Sequence, residues 1–365
     1  MRLCFLANSD ALHSHRWIRF FAERGHEIHW ISLRPFEGRA LPNTHFYDLS
    51  SVLGKLASLG AAGLKIRRMV RDIKPDIVHA HYAGAYGVLG ALSNFQPFVV
   101  TAWGSDILFA GRAPVKGLLV RWVLRKARLI TCDAHHMVEA MLALGADKRK
   151  IELTLFGVEV DRFRPGSADE TLRAEWGCRS GPVVISLRNL EPVYNIETLI
   201  QAAPRILREV PTARIVIAGS GSSESTLKAR VHEMGLGANV LFIGRYANAD
   251  LPNILRSAEA YVSTSLSDAG IAASTAEAMA CGLPVVVTKT GENHRWIDEG
   301  KTGFLIPPKD PEALADRVVL LLKDARRRAA MGAAARDVIV THNNYELEMG
   351  KMEQLYRRLL EGDVG

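Results

Sequence analysis

Residues 263–288 read STSLSDAGIAASTAEAMACGLPVVVT. A strand ends at Ser263, a loop of small residues follows, and a helix begins near Ser274. Gly282 and Pro284 then turn the chain into a run of three valines. Strand, loop, helix and strand in this order form the unit from which parallel sheets are built. Gly270, Ala272 and Ala273 let backbone N–H groups approach a ligand closely, and a helix N-terminus favours a phosphate there. Glu277 lies one turn into the helix. Spacing alone leaves two roles open for it, complementing the helix dipole or accepting from the hydroxyls of a ribose.

The same alternation extends in both directions. Upstream, strands are expected at 183–187, 213–218, 240–243 and 260–263, with a last one at 284–287. Helices are expected at 196–209, 223–234, 249–257 and 274–280, followed by 311–323 and 345–360. The first half repeats the logic, with strands at 3–7, 27–32, 77–81, 98–102 and 129–131. Between the first two, residues 15–24 put Trp17, Ile18, Phe20 and Phe21 on one apolar side, and Gly25 closes the helix. Apolar runs of this kind belong to sheets covered on both faces. The fold class is therefore α/β, with two Rossmann-like doubly wound domains facing across a cleft. The expected boundaries are 1–160, a polar interdomain passage at 161–182, 183–344, and a C-terminal helix at 345–365 that packs back on the first domain.

A chain of 365 residues is long enough for two cores. No apolar run approaches the roughly 18 residues a membrane span needs. The opening MRLCFLANSD reads as a first strand, because Asn8, Ser9 and Asp10 cut short the apolar run that a signal peptide would continue. Cys4, Cys132, Cys178 and Cys281 have no metal-ligand spacing and read as buried free thiols in a reducing cytoplasm. The net charge of +7 is uneven. Residues 1–150 carry 21 Lys and Arg against 11 Asp and Glu, a net +10, while residues 151–365 carry 25 against 28, a net −3. The excess lies in GLKIRRMVRDIK and KGLLVRWVLRKAR, the composition of basic amphipathic surfaces. It suits either a solvated helix face or peripheral contact with an anionic membrane, which would place the protein on the inner face of that membrane. Nucleic acid is not expected as a partner, since the aromatic-basic interleaving of known modules is confined to the surroundings of Trp122.

The stretch that decides the fold also resembles a family signature, that of retaining glycosyltransferase family 4: E-G-F-G-x-x-x-x-E-A-M-A-x-G-x-P-V-V. The match runs through Gly270, Glu277, Ala278, Met279, Ala280, Gly282, Pro284, Val285 and Val286. The family's first glutamate would fall on Ala269, with Asp268 one position earlier as the nearest carboxylate. SLRNLEPVYNIETLIQAAP is similar to the element that holds the donor diphosphate, with Arg188 in place and Tyr194 and Asn195 where the family writes Lys-Gly. Gly219 and Gly221 resemble its A-G-x-G turn beside the nucleotide, and Gly244 and Arg245 follow its F-x-G element. These glycines would equally serve a tight turn after a buried strand. In the first half Asp76, His79 and His81 match a D-x-x-H-x-H strand end. Gly104 and Asp106 match H-G-x-D, with Trp103 in place of the histidine.

This resemblance implies a GT-B fold, a nucleoside diphosphate sugar as co-substrate, and neither cofactor nor metal. Arg188, Glu277 and Asp106 become the catalytic candidates. The donor candidates are Gly219, Gly221, Gly244, Arg245, Asp268, Tyr194 and Asn195, with the loop Gly270, Ile271, Ala272 and Ala273. His13, His15, Arg16, His81 and Trp103 are the acceptor-side candidates. Trp103 could stack on a sugar or pack in the core, and the sequence leaves both open. The acceptor expected from the basic first half is lipid-linked. Two rival readings remain. A nicotinamide-dependent oxidoreductase would place G-x-G-x-x-G after the first strand, where residues 7–13 hold no glycine. A non-catalytic relative that binds nucleotide sugar is kept open by the departures at Trp103, Tyr194 and Ala269.

Overall fold

The computed structural model describes residues 1–362 apart from 37, 39, 51–58, 109, 111–113, 179 and 269. It divides into two compact units, Met1–Phe156 with Glu346–Gly365, and Gly157–Tyr345.

The first unit is built on a seven-stranded sheet of β1 (Arg2–Leu6), β2 (Glu27–Ser32), β3 (Thr44–Asp48), β4 (Ile77–His81), β5 (Phe98–Thr101), β6 (Leu129–Cys132) and β7 (Ile151–Leu153). Their order is β3-β2-β1-β4-β5-β6-β7 and every pairing is parallel. The order reverses between β1 and β4, so loops leaving those two strands diverge and open a crevice at their C-terminal ends. Strands β4, β5 and β6 are buried throughout, as expected of a sheet covered on both faces. β3 and β7 were not expected. THFYD is half-exposed and polar, and IEL is three residues long, so neither carries the apolar run that marks a central strand.

The second unit holds β8 (Val183–Ser186), β9 (Arg214–Ala218), β10 (Val240–Gly244), β11 (Ala260–Ser263), β12 (Val285–Thr288) and β13 (Gly303–Ile306). The order is β10-β9-β8-β11-β12-β13, again all parallel, with the reversal between β8 and β11. Tyr261 on β11 is fully buried and anchors the apolar core on one face of this sheet. β13 was also missed, because GFLI is short and begins with a glycine whose added Cβ would strike Val285.

One expected boundary needs correction. Residues 161–182 are not a passage between domains but part of the second unit. They contain the helix Glu170–Glu175, capped by Asp169, and Arg173 is buried there, donating to the carbonyls of Ser257 and Gly181 and to Glu259. The helix Tyr345–Glu361 sends Tyr356 into the core of the first unit, where its hydroxyl is hydrogen-bonded to His79 Nδ1. All four cysteines are free and buried, and burial pushes the Cys4 and Cys281 thiols up to about 12. Among the described residues no helix is long and apolar enough to cross a membrane.

Candidate active site

In the second unit the chemistry collects at the reversal between β8 and β11. Arg188 follows β8, and its Nη2 donates to Asp268 Oδ1 at 2.5 Å. The two side chains are only 11% and 5% exposed. The same guanidinium lies over the Tyr194 ring, 4.4 Å from its centroid, a cation–π contact. Where the expected lysine is missing, the aromatic ring therefore steadies the remaining cation. Asp268, expected to face the donor sugar, instead aims Arg188. One contact uses one of the guanidinium's five N–H donors, so the group keeps donors for a phosphate.

Two loops are laced together beneath this pair. Thr264 Oγ1 donates to the carbonyls of Tyr194 and Asn195 at 3.1 and 2.8 Å, and Leu266 N donates to Val193 O. Asn195, in left-handed backbone at φ 50, donates to Thr198 Oγ1 and Thr264 O. Its amide nitrogen is thus tied to the loop. Gly219 stands at φ +125, and a Cβ there would come within 2.7 Å of Arg188 O. Gly221 is packed as tightly against Leu190. These two glycines let the loop after β9 lie on the loop that carries Arg188, while Gly244 faces open space. Exposed Arg245 donates to Ser220 Oγ at 2.7 Å, tying the loop after β10 to the same turn.

The helix Ala273–Ala280 begins with Ala272 in extended backbone and has no side-chain cap, which leaves its first N–H groups to a ligand or solvent. The Ile271 side chain packs against the core, so only its backbone is offered. Glu277 is half-buried on this helix. Its charge reaches Tyr246, whose phenol is pushed up to about 12, first by burial and then by Glu277, with Arg188 opposing. Buried Tyr261 bonds Ser274 Oγ at 2.8 Å and also feels Arg188. Glu277, Tyr246, Arg188 and Asp268 therefore share one neighbourhood. Tyr246 and Tyr261 were not among the sequence candidates; Tyr246 directly follows the matched Gly244 and Arg245, a signal that could have found it. Ala269 lies outside the described residues.

In the first unit the acceptor candidates separate into two kinds. His13 is exposed and stacks on Trp103, with centroids 4.6 Å apart and planes 13° apart. One Trp103 face is therefore occupied by an imidazole. Phe156 meets His13 edge-on at 4.6 Å, and the Arg16 guanidinium lies 3.9 Å from the Phe156 centroid. His81, at the end of β4, is buried among Trp17, His79 and Trp103. Both of its ring nitrogens lack a hydrogen-bond partner among the described residues. Burial, reinforced by the charge of His13, lowers its pKa to about 3, so the ring is neutral.

Two other candidates are committed to structure. His15 Nε2 bonds Ser9 O at 2.5 Å, and Ser9 Oγ donates in turn to the carbonyls of Arg34 and Pro35, so His15 braces the loop after β1. Asp106 is buried, and its carboxylate accepts from the backbone N–H groups of Ala83, Trp103 and Gly104 at 2.7, 3.1 and 3.0 Å. It is a positioning residue that joins the loops after β4 and β5, not a catalytic one. Burial raises its pKa against the pull of those bonds. Beside it opens a cavity of about 600 Å³, lined by Leu33, Val88, Leu89, Leu119 and Val120, with Lys116 and Tyr82.

Residues 169–338 match the model for glycosyl transferases group 1, and residues 2–134 match that for glycosyl transferase 4-like proteins. The chain belongs to this glycosyltransferase family. It is a transferase with the GT-B fold. It is 27% identical over 361 residues to N-acetyl-alpha-D-glucosaminyl L-malate synthase of Bacillus anthracis, covering 94% of this chain and 92% of that protein. It is also 27% identical over 282 residues to the GDP-mannose-dependent alpha-(1-6)-phosphatidylinositol monomannoside mannosyltransferase of Mycolicibacterium smegmatis, covering 74% of each. The crystal structure of Anabaena Alr3699/HepE in complex with UDP superposes with a TM-score of 0.83 at 20% identity, over 97% of this chain and 99% of that one. The family sets aside the oxidoreductase reading.

Proposed function

We propose that this glycosyltransferase moves a sugar from a nucleoside diphosphate sugar to an acceptor hydroxyl, with retention at the anomeric carbon and without a metal, in bacterial surface polysaccharide or glycolipid synthesis. The observation that carries the donor half is Arg188, aimed by Asp268 and Tyr194 at the reversal between β8 and β11, beside an uncapped helix N-terminus. As the anomeric C–O bond to the diphosphate breaks, negative charge grows on the leaving oxygen. Arg188 and the helix N–H groups oppose that charge more strongly in the transition state than before it. Glu277 takes the ribose hydroxyls and fixes where the anomeric carbon sits. On the acceptor side, exposed His13, stacked on Trp103 next to buried His81, offers a ring nitrogen to a hydroxyl.

A lipid-linked acceptor is favoured by the first unit. The helices Leu59–Ile73 and Pro114–Lys126 expose Arg67, Arg68, Arg71, Arg121 and Arg125 together with Leu64, Val115 and Leu118. Such surfaces bind anionic bilayers from the cytoplasmic side. Two relatives that bear on this reading act on different acceptors, L-malate and a phosphatidylinositol monomannoside. Titration with UDP-, GDP- and ADP-sugars, with and without EDTA, tests the donor half. One nucleotide should bind tightly and turn over equally with EDTA, whereas binding of none would overturn the proposal. Binding without transfer to any hydroxyl would favour the non-catalytic reading.

A further inference from the structure

Away from the transferase site, Glu27, His29 and His45 converge on one face of the first unit's sheet. Glu27 and His29 stand two residues apart on β2 and so point to the same side. His45 is paired directly with His29 across β2 and β3. The candidate ligand atoms of all three lie within 4.8 Å of one another. Glu27 Oε1 is 3.0 Å from His29 Nε2, and the two imidazoles stack with centroids 4.9 Å apart. His29 is buried, Glu27 is half-exposed and His45 is exposed, so the group is open to solvent on one side.

We propose that Glu27, His29 and His45 form a binding site for a divalent transition-metal ion of the zinc class. Two imidazoles and one carboxylate with a fourth position open is a recurrent zinc ligand set. Around tetrahedral zinc, ligand atoms sit ~3.3 Å apart, so the site closes by rotation of the two accessible side chains. The surroundings suit this use. His29 Nδ1 is held by Tyr47 OH at 2.9 Å, the kind of outer bond that orients a metal-bound imidazole. Glu27 Oε2 accepts from Arg2 Nε at 2.9 Å, which keeps the carboxylate ionised and leaves Oε1 for the metal.

Position separates this site from transfer. Glu27 opens β2, at the opposite end of the sheet from His13 and His81, which follow the C-terminal ends of β1 and β4. A bound ion would instead tie the half-exposed strand β3 to β2. Metal-free transfer and metal binding here are therefore compatible, and the test of one does not decide the other. The experiment uses untagged protein dialysed against chelator and titrated with zinc chloride by calorimetry. One saturable site per chain is expected, with a rise in Tm on zinc addition. His45→Ala changes an exposed side chain and should weaken binding at least about tenfold, abolishing the rise. His135→Ala, at an exposed histidine elsewhere in the same unit, should change neither. Cobalt(II) should give the intense visible bands of a four-coordinate site in the wild type and in His135→Ala, but not in His45→Ala. Absence of saturable binding, or equal binding by wild type and His45→Ala, would overturn the proposal.

Discussion

Arg188 and Asp268 set the terms at the residue scale. A guanidinium already paired to a carboxylate presents less charge to a phosphate, yet it is held in one orientation. Asp268→Asn keeps an acceptor but removes the opposing charge, and it should cost about 1–3 kcal/mol of stability. The bound nucleotide then meets the full charge of Arg188. Differential scanning fluorimetry should accordingly show a larger nucleotide-induced rise in Tm for Asp268→Asn than for the wild type; an equal rise would mean the pair does not gate the phosphate. Arg188→Ala should lower kcat by ~10²–10³, the scale for losing one donor to a developing anion, while nucleoside affinity falls much less. Equal losses in kcat and affinity would argue against a leaving-group role. Glu277→Ala should show the reverse split, with nucleotide binding by calorimetry sharply weakened. Of these residues, Arg188 and Glu277 were legible from the motifs. Their partners were not, because the pairing of Arg188 with Asp268 bridges 80 positions and depends on how two loops pack.

At the scale of elements, the site is made by loops leaving parallel strands, and their glycines decide how closely the loops nest. Gly219→Ala would force a Cβ against Arg188 O at a φ of +125 that side chains rarely adopt. Destabilisation of about 1–3 kcal/mol is expected, together with weaker nucleotide binding as the Arg188 loop shifts. Gly244→Ala meets strain but no neighbour, so its effect on binding should be smaller. Equal effects on binding from both substitutions would sever the link between the nested loops and Arg188. The central strands were legible because burial on both faces writes itself as a continuous apolar run. β3 and β7 were not, since both are part-exposed and carry no continuous apolar run, and β13 opens on a glycine. Segment 161–182 misled for a related reason: Arg173 and Asp169 look like solvated linker residues, and only the fold reveals that Arg173 bonds inward and Asp169 caps a helix. His15 and Asp106 likewise look functional by type, and the structure spends both on backbone.

For the whole molecule, two consequences follow from where charge is placed and where it is kept out. The net +10 of residues 1–150 is carried largely on exposed helix faces. Co-sedimentation should favour anionic over neutral vesicles and fall with salt, by the screening expected of surface charge; salt-insensitive partitioning to both would refute membrane contact. Charge is kept out of the first unit's interior, where His79 and His81 sit buried side by side. His79 is bonded on both ring nitrogens, to Tyr356 and Thr101, and His81 on neither among the described residues. Burial holds the pKa of His79 well below its ordinary value and that of His81 at about 3. In the unfolded chain both histidines titrate near 6.5. The neutral folded forms therefore stabilise the protein fully above pH 6.5. That contribution is lost as pH falls from 6.5 towards 3, because the unfolded state takes up protons that the folded state refuses. Each histidine can contribute up to about 1.4 kcal/mol per pH unit in that window. Urea midpoints measured between pH 7.5 and 5 should fall steadily below 6.5. His81→Phe removes one titrating group and should flatten the slope even if it shifts the midpoint at pH 7.5. An unchanged slope would show that His81 does not titrate differently in the two states.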